Sequence, residues 1–175
     1  MSAKIMIAYA SRHGSTEEVA EAIAETLRGR GFEVSLRRAE EVHSLEGYDA
    51  VVLGSGVRFG QWLAPAVHFV ERFQDQLRSL PTAFFSVHIL NLDDSEVSQH
   101  NRLGYLEAVH KMVRPQYEAF FPGKLEPHEL NFFERLISRL VQTPEGDLRQ
   151  WQKICDWANK IFQEEPALAV GQQTA

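Results

Sequence analysis

Three hydroxyl side chains, Ser11, Ser15 and Thr16, stand around Gly14 where an apolar run, Ile5-Met6-Ile7-Ala8-Tyr9-Ala10, passes into a helical pattern from Glu17 to about Arg28. Residues of these types in this order suit anion binding. The N–H groups that open a helix have no intrahelical partner and carry the positive end of its dipole, and nearby hydroxyls add donors. Gly14 lets the backbone turn tightly toward a phosphate. Helix capping would account for one hydroxyl of the three. The spacing therefore favours a phosphate cradle.

Two further stretches could bear chemistry. Gly54-Ser55-Gly56-Val57-Arg58-Phe59-Gly60-Gln61-Trp62 follows a second buried run, Ala50-Val51-Val52-Leu53, and reads as a Gly-rich loop carrying a cation and two aromatics. Ser86-Val87-His88 ends a third run, Ala83-Phe84-Phe85, and His88 offers a group that titrates near neutral pH. Plainer roles stay open at each place. Arg58 could bridge a surface carboxylate, Trp62 could pack under the following helix, and His88 could be a satisfied loop histidine.

The elements that position these stretches alternate along the chain. Residues 4–10 form a strand; the next helix puts Val19, Ala20, Ile23, Ala24 and Leu27 on one face and ends at Gly29 and Gly31. Phe32 to Leu36 alternates like an edge strand, and Ala50 to Leu53 is a strand buried on both faces. Pro65 opens a helix over 65–78, with Ala66, Val70, Phe73 and Leu77 facing inward. After the strand at 83–87 comes a single helix over 95–113, stopped by Arg114-Pro115, and a fifth strand at 117–121. Residues 127–141 carry Phe133, Leu136, Ile137, Leu140 and Val141 on one helical stripe, an amphipathic insertion before the last helix. This alternation specifies an α/β fold, a parallel sheet with helices on both faces, whose ligands bind beyond the carboxyl ends of the strands. All three chemistry-bearing stretches fall at that edge.

Composition sets the frame. A chain of 175 residues with 44% hydrophobic content supports one domain with a full core, over residues 1–163, followed by a loosely ordered tail at 164–175. The net charge of −6 argues against nucleic acid as a partner. Cys155 is the single cysteine, so no internal disulfide forms and no metal site is expected; its helical setting reads as a buried thiol. With no membrane-span run and no signal-peptide layout, the expected compartment is the cytoplasm. Other α/β nucleotide folds do not match. The first loop lacks G-x-G-x-x-G, the chain has no Gly-Lys-Ser/Thr, and Gly54-Ser55 stands where a phospho-receiver needs Asp.

The loop Ser11-Arg12-His13-Gly14-Ser15-Thr16 resembles the FMN-phosphate loop of flavodoxins. Val51 to Gly60, Leu80 to Val87 and Gly146-Asp147-Leu148-Arg149-Gln150-Trp151 are similar to the flavodoxin-type, menaquinone-dependent protoporphyrinogen oxidases, a likeness spanning about residues 3–163. That resemblance implies a flavodoxin-like three-layer sandwich with a five-stranded parallel sheet in the order 2-1-3-4-5 and a helical insertion after strand five. It implies FMN as cofactor, its phosphate held by Ser11, Arg12, His13, Gly14, Ser15 and Thr16. Ser55, Gly56, Val57, Arg58, Phe59, Gly60 and Trp62 would border the ring, with Ser86, Val87 and His88 opposite. Arg58 and His88 are the implied catalytic residues. The implied activity is transfer of electrons from a reduced organic substrate, a porphyrinogen, through FMN to a quinone. The alternative is a one-electron carrier of the flavodoxin type, with a redox protein as acceptor. The insertion over 127–141 would touch substrate, the inner face of the cell membrane, or a second subunit in a homodimer. The segment Gly123 to Glu129 is mildly acidic where that subgroup carries a basic, aromatic-rich insertion, a departure that weighs against both an anionic porphyrin and an anionic membrane surface.

Overall fold

The computed structural model describes residues 2–125 and 146–163; the amphipathic stretch at 127–141 and the tail after 163 lie outside them. The elements run β1 (Lys4–Ala10), α1 (Ser15–Gly29), β2 (Glu33–Arg38), β3 (Ala50–Arg58), β4 (Gln61–Trp62), α2 (Ala64–Ser79) and β5 (Thr82–His88). They continue with α3 (Glu96–Gly104), α4 (Glu107–His110), β6 (Tyr117–Pro122), β7 (Lys124–Leu125), β8 (Gly146–Asp147) and α5 (Trp151–Lys160). The main sheet has the order β2-β1-β3-β5-β6, every neighbour parallel, which is the 2-1-3-4-5 order implied by the resemblance. The short β4 is an addition, antiparallel to β3.

Alternation along the central strands builds two cores. Ile5, Ile7, Val52 and Phe85 face α1 and α5, meeting Val19, Ile23, Leu27 and Ile154. Met6, Ala8, Leu53 and Phe84 face the other way, onto Phe69, Val70 and Leu77 of α2 and Val109 of α4. Strands buried on both faces explain the continuous apolar runs in the sequence. The stripe expected on α1 holds in full, with Val19, Ala20, Ile23, Ala24 and Leu27 all at 0% exposure.

Three expectations are corrected. Gly54 to Trp62 is a hairpin, not a loop: β3 runs on to Arg58, and Arg58 pairs with Gln61 across a two-residue turn made by Phe59 and Gly60. The single helix expected over 95–113 divides into α3 and α4 at Tyr105 and Leu106, whose backbone N–H groups donate to Arg102 and Leu103 three residues back instead of four and whose side chains are buried (6% and 1% exposed). Cys155 is half-buried rather than enclosed.

Candidate functional site

The chain leaves β1 for β2 on one side and continues from β3 to β5 and β6 on the other, so the switch point of the sheet lies between β1 and β3. The loop after β1 sits there. Gly14 occupies the N-cap of α1 with φ of +86°, and no side chain caps that helix. The capping role weighed for Ser15 and Thr16 is thus not what the structure shows. Ser11 Oγ accepts the Gly14 N–H at 3.0 Å, folding the loop back on itself. Ser15 Oγ accepts the Lys124 N–H at 2.9 Å. A hydroxyl that accepts from a backbone N–H keeps its own proton to donate. Ser11 and Ser15 therefore both retain a donor beside the uncapped first turn of α1.

Neighbouring strands close in on this turn. Thr16 is buried, and a Cβ on Gly56 would come within 3.2 Å of its Oγ1. Gly123, just past β6, donates its N–H to the His88 carbonyl at 2.8 Å. A Cβ at Gly123 would come to 2.8 Å from Val87 Cγ1 and 3.2 Å from Ser15 Oγ, so the absence of a side chain lets that strand end approach the cradle. Arg12 is exposed and His13 half-buried on the same loop.

The hairpin of β3 and β4 divides the residues grouped with it by sequence. Ser55 is fully buried, donates to the Gly56 carbonyl at 2.8 Å and accepts the Leu63 N–H at 3.0 Å, so its hydroxyl is spent on the hairpin itself. Trp62 is buried as well; its indole N–H donates to Ser86 Oγ at 2.7 Å, and its ring lies 5.3 Å from that of Phe84. Phe59 is the opposite case. It is 71% exposed at the hairpin tip, with the Arg58 guanidinium 4.9 Å from its ring centroid. Its φ is +50° and that of Gly60 is +71°, the pair of positive values that a type I′ turn requires. A bulky side chain in that conformation costs roughly 1–2 kcal/mol, and an exposed Phe recovers little of it by packing.

His88 ends β5 at 4% exposure, its ring edge-on to Phe120 and tilted against Tyr105. Its Nδ1 donates to the Leu90 carbonyl at 2.6 Å, which leaves Nε2 as an acceptor on a neutral ring. Burial, with Arg102 nearby in a lesser role, holds its pKa below the ordinary histidine value. Unfolded His88 takes up a proton below about pH 6.5 while the folded form resists it, so stability should fall as pH drops from neutral, by at most ~1.4 kcal/mol per unit. Denaturant unfolding at pH 7.5 and 5.5 measures this, and His88→Gln should flatten the dependence. The loop beyond His88 is stapled by Arg102, which donates to the carbonyls of Asn91 and Asp93 at 2.7 and 2.8 Å, and by a hydrogen bond from the Asn91 amide to the Tyr105 hydroxyl.

Sequence reading missed Arg149. Its side chain is 6% exposed, forks onto Asp147 with Nε and Nη2 at 2.8 and 2.7 Å, lies 4.5 Å over the Trp151 ring and pairs with Glu18 on α1. The hydrogen bonds from Arg149 hold the Asp147 carboxyl down at about 2. Among the described residues no group of His, Cys, Asp or Glu could hold a metal ion, and no helix is long and apolar enough to cross a membrane.

A parallel sheet with an uncapped, hydroxyl-flanked helix start at its switch point, beside the β3–β4 hairpin and the end of β5, suits a phosphate-bearing planar group. The Flavodoxin domain model matches residues 6–150, and the chain belongs to that family. FMN is the cofactor that this membership indicates, and the cradle fits its phosphate end: a Gly at positive φ, free first-turn N–H groups and two hydroxyls with protons to donate. The chain is similar to protoporphyrinogen IX dehydrogenase [quinone] of Escherichia coli (strain K12), 25% identical over 170 residues that cover 90% of this chain and 94% of that one. The protein of the same name in Leishmania major is 26% identical, covering 90% and 71%. NAD(P)H dehydrogenase (quinone) of Methylocella silvestris is 30% identical over 92 residues, 40% of this chain and 46% of that one. The two-electron reduced flavodoxin of Megasphaera elsdenii shares the fold, with a TM-score of 0.55 at 16% identity over 89% of this chain and 98% of that one.

Proposed function

We propose that this protein is an FMN-dependent quinone oxidoreductase whose reduced substrate is a porphyrinogen. The observation that carries the reading is the start of α1, where Gly14 stands at the N-cap without any side-chain cap and Ser11 and Ser15 keep their hydroxyl protons. Bound FMN supplies the exchange of electrons between an organic donor and a quinone. The protein's part is to hold, orient and shield. The first-turn N–H groups of α1, with Ser11, Ser15 and Thr16, receive the phosphate, and Arg12 adds positive charge and His13 a ring donor beside it. Phe59 offers an apolar face at the sheet edge, supported by the cation of Arg58. Gly56, Val57 and Gly60 let the hairpin backbone approach the ring, while Ser55, Trp62 and Ser86 fix the hairpin to the sheet from beneath. Val87 and His88 line the opposite side, and His88 acts as a positioning residue through the Leu90 carbonyl. Arg58 is the group suited to orient a carboxylate-bearing substrate.

The porphyrinogen assignment rests on the two dehydrogenases of that name, similar over most of this chain. Quinone as acceptor is supported by those two and by the NAD(P)H dehydrogenase (quinone) relative. Contact with a membrane or a second subunit through residues 127–141 remains a proposal about a stretch outside the described residues. The test is an anaerobic assay of purified, FMN-loaded protein with protoporphyrinogen and a water-soluble menaquinone analogue. Porphyrin fluorescence should rise only when the quinone is present. No turnover, with rapid electron exchange to a redox protein instead, would favour the flavodoxin-type carrier; failure to take up FMN would sink both readings.

A further inference from the structure

The first turn of α1 carries two carboxylates, Glu17 and Glu18, directly beside the uncapped N–H groups. Acidic side chains there favour the helix by complementing its dipole. They also repel any dianion brought to the same turn. The structure pairs each of them with an arginine by a different device. Glu17 accepts the Tyr9 hydroxyl at 2.6 Å and Arg38 Nη2 at 3.2 Å, so its charge is met from β1 and β2. Glu18 accepts from Arg149, which stands 131 positions away in sequence.

Arg149 is built in rather than draped across the surface. Asp147 holds Nε and Nη2 in a fork, and the backbone N–H of Arg149 also donates to Asp147 Oδ1 at 3.1 Å. The Trp151 ring covers the flat face of the guanidinium. With two of its edges fixed, Nη1 is aimed at Glu18. The same ribbon reaches α1 at a second point: Asp147 pairs with Lys124 between β8 and β7, and the Lys124 N–H donates to Ser15 Oγ. The Leu148 N–H completes the ribbon on the Gly123 carbonyl at 3.1 Å. Ser15 and Glu18 are three residues apart and share one face of the helix, so β7, β8 and Arg149 brace that face as a unit.

We propose that Arg149 is a positioning residue of the phosphate cradle: by offsetting the negative charge of Glu18 and tying the first turn of α1 to β8, it raises the affinity of the cradle for a phosphate dianion. This rests on the FMN reading above. FMN and riboflavin differ by the phosphate, so comparing them confines the effect to the cradle. Salt dependence and rescue by Glu18→Gln then separate charge, which is screened by salt, from a clamp on the geometry of the turn, which is not.

The experiment is titration of the full-length apoprotein with FMN and with riboflavin, followed by flavin fluorescence at low and high salt, for wild type, Arg149→Gln, Glu18→Gln and the double variant. Arg149→Gln should weaken FMN binding about tenfold, the scale of one screened like-charge interaction near a surface, and change riboflavin binding less than about twofold. High salt should shrink the FMN difference. Glu18→Gln should bind FMN at least as tightly as wild type, and adding it to Arg149→Gln should restore part of the lost affinity, the remainder being the charge of Asp147 that Arg149 also meets. Arg149→Lys, which keeps the charge without the fork, should retain most FMN affinity and guards against a variant that fails to fold. Equal weakening of both flavins by Arg149→Gln, or no rescue by Glu18→Gln, would overturn the proposal. A wild-type protein that binds neither flavin would overturn the FMN reading itself, and this proposal with it.

Discussion

Gly54→Ala should destabilise the protein by about 3 kcal/mol, the upper range for forcing extra atoms into a packed core. Gly54 lies in the middle of the sheet, paired with Tyr9 on β1 and Phe85 on β5. A Cβ there would fall 1.9 Å from Phe85 Cζ and within 2.4 Å of both its Cε atoms. The Phe85 ring cannot swing aside, since it is fully buried with the rings of Phe121 and Trp157 centred 6.3 and 6.2 Å away. Urea unfolding of the apoprotein measures the loss. Phe85→Leu, introduced together with Gly54→Ala, should recover part of it by opening space under the strand. A Gly54→Ala protein as stable as wild type would mean that β3 and β5 are not in this register.

Phe59→Asn should move stability and cofactor affinity in opposite directions. Asn tolerates the left-handed backbone that Phe59 occupies, and Asn followed by Gly is the preferred pair for a two-residue type I′ turn. Relief of strain should raise the apoprotein's unfolding free energy by about 0.5–1 kcal/mol, after allowing for the lost cation–π contact with Arg58. FMN affinity should fall at least about tenfold as the aromatic face is removed. Thermal melts and flavin titration give the two quantities. A variant that loses stability while keeping its FMN affinity would show that Phe59 serves the fold rather than the site.

The fold was legible wherever burial repeats with a fixed period. Ile5 to Ala10 and Ala83 to Val87 read as strands because both faces are covered, and α1 read as a helix because its apolar residues recur every three or four positions. The hairpin was not legible, for two reasons. Gly54 to Arg58 lacks an apolar run, and Phe59 sits where sequence rules place Asn or Gly. The break between α3 and α4 was hidden because Tyr105 and Leu106 continue a plausible helical pattern and keep helical dihedrals; only the tightening of their backbone hydrogen bonds to three-residue spacing marks it. At the site, Ser11 to Thr16 could be read because the cradle is local, its hydroxyls and glycine adjacent in the chain. The division of labour between Phe59 and Trp62 could not, since it depends on which aromatic finds Ser86. Arg149 was out of reach for the same reason, as the pairing with Glu18 closes across most of the chain.

The brace on α1 also governs when the site can exist. Residues 4–16 emerge first during synthesis, yet the hydroxyl of Ser15 meets its partner at Lys124 and Glu18 meets Arg149. Arg30, at the far end of α1, waits longer still: it donates to the carbonyls of Ala158, Ile161 and Phe162. Domains that close through contacts this distant finish folding late. A nascent chain halted before Arg149 would carry every residue of the phosphate loop and still lack the contacts that brace its helix.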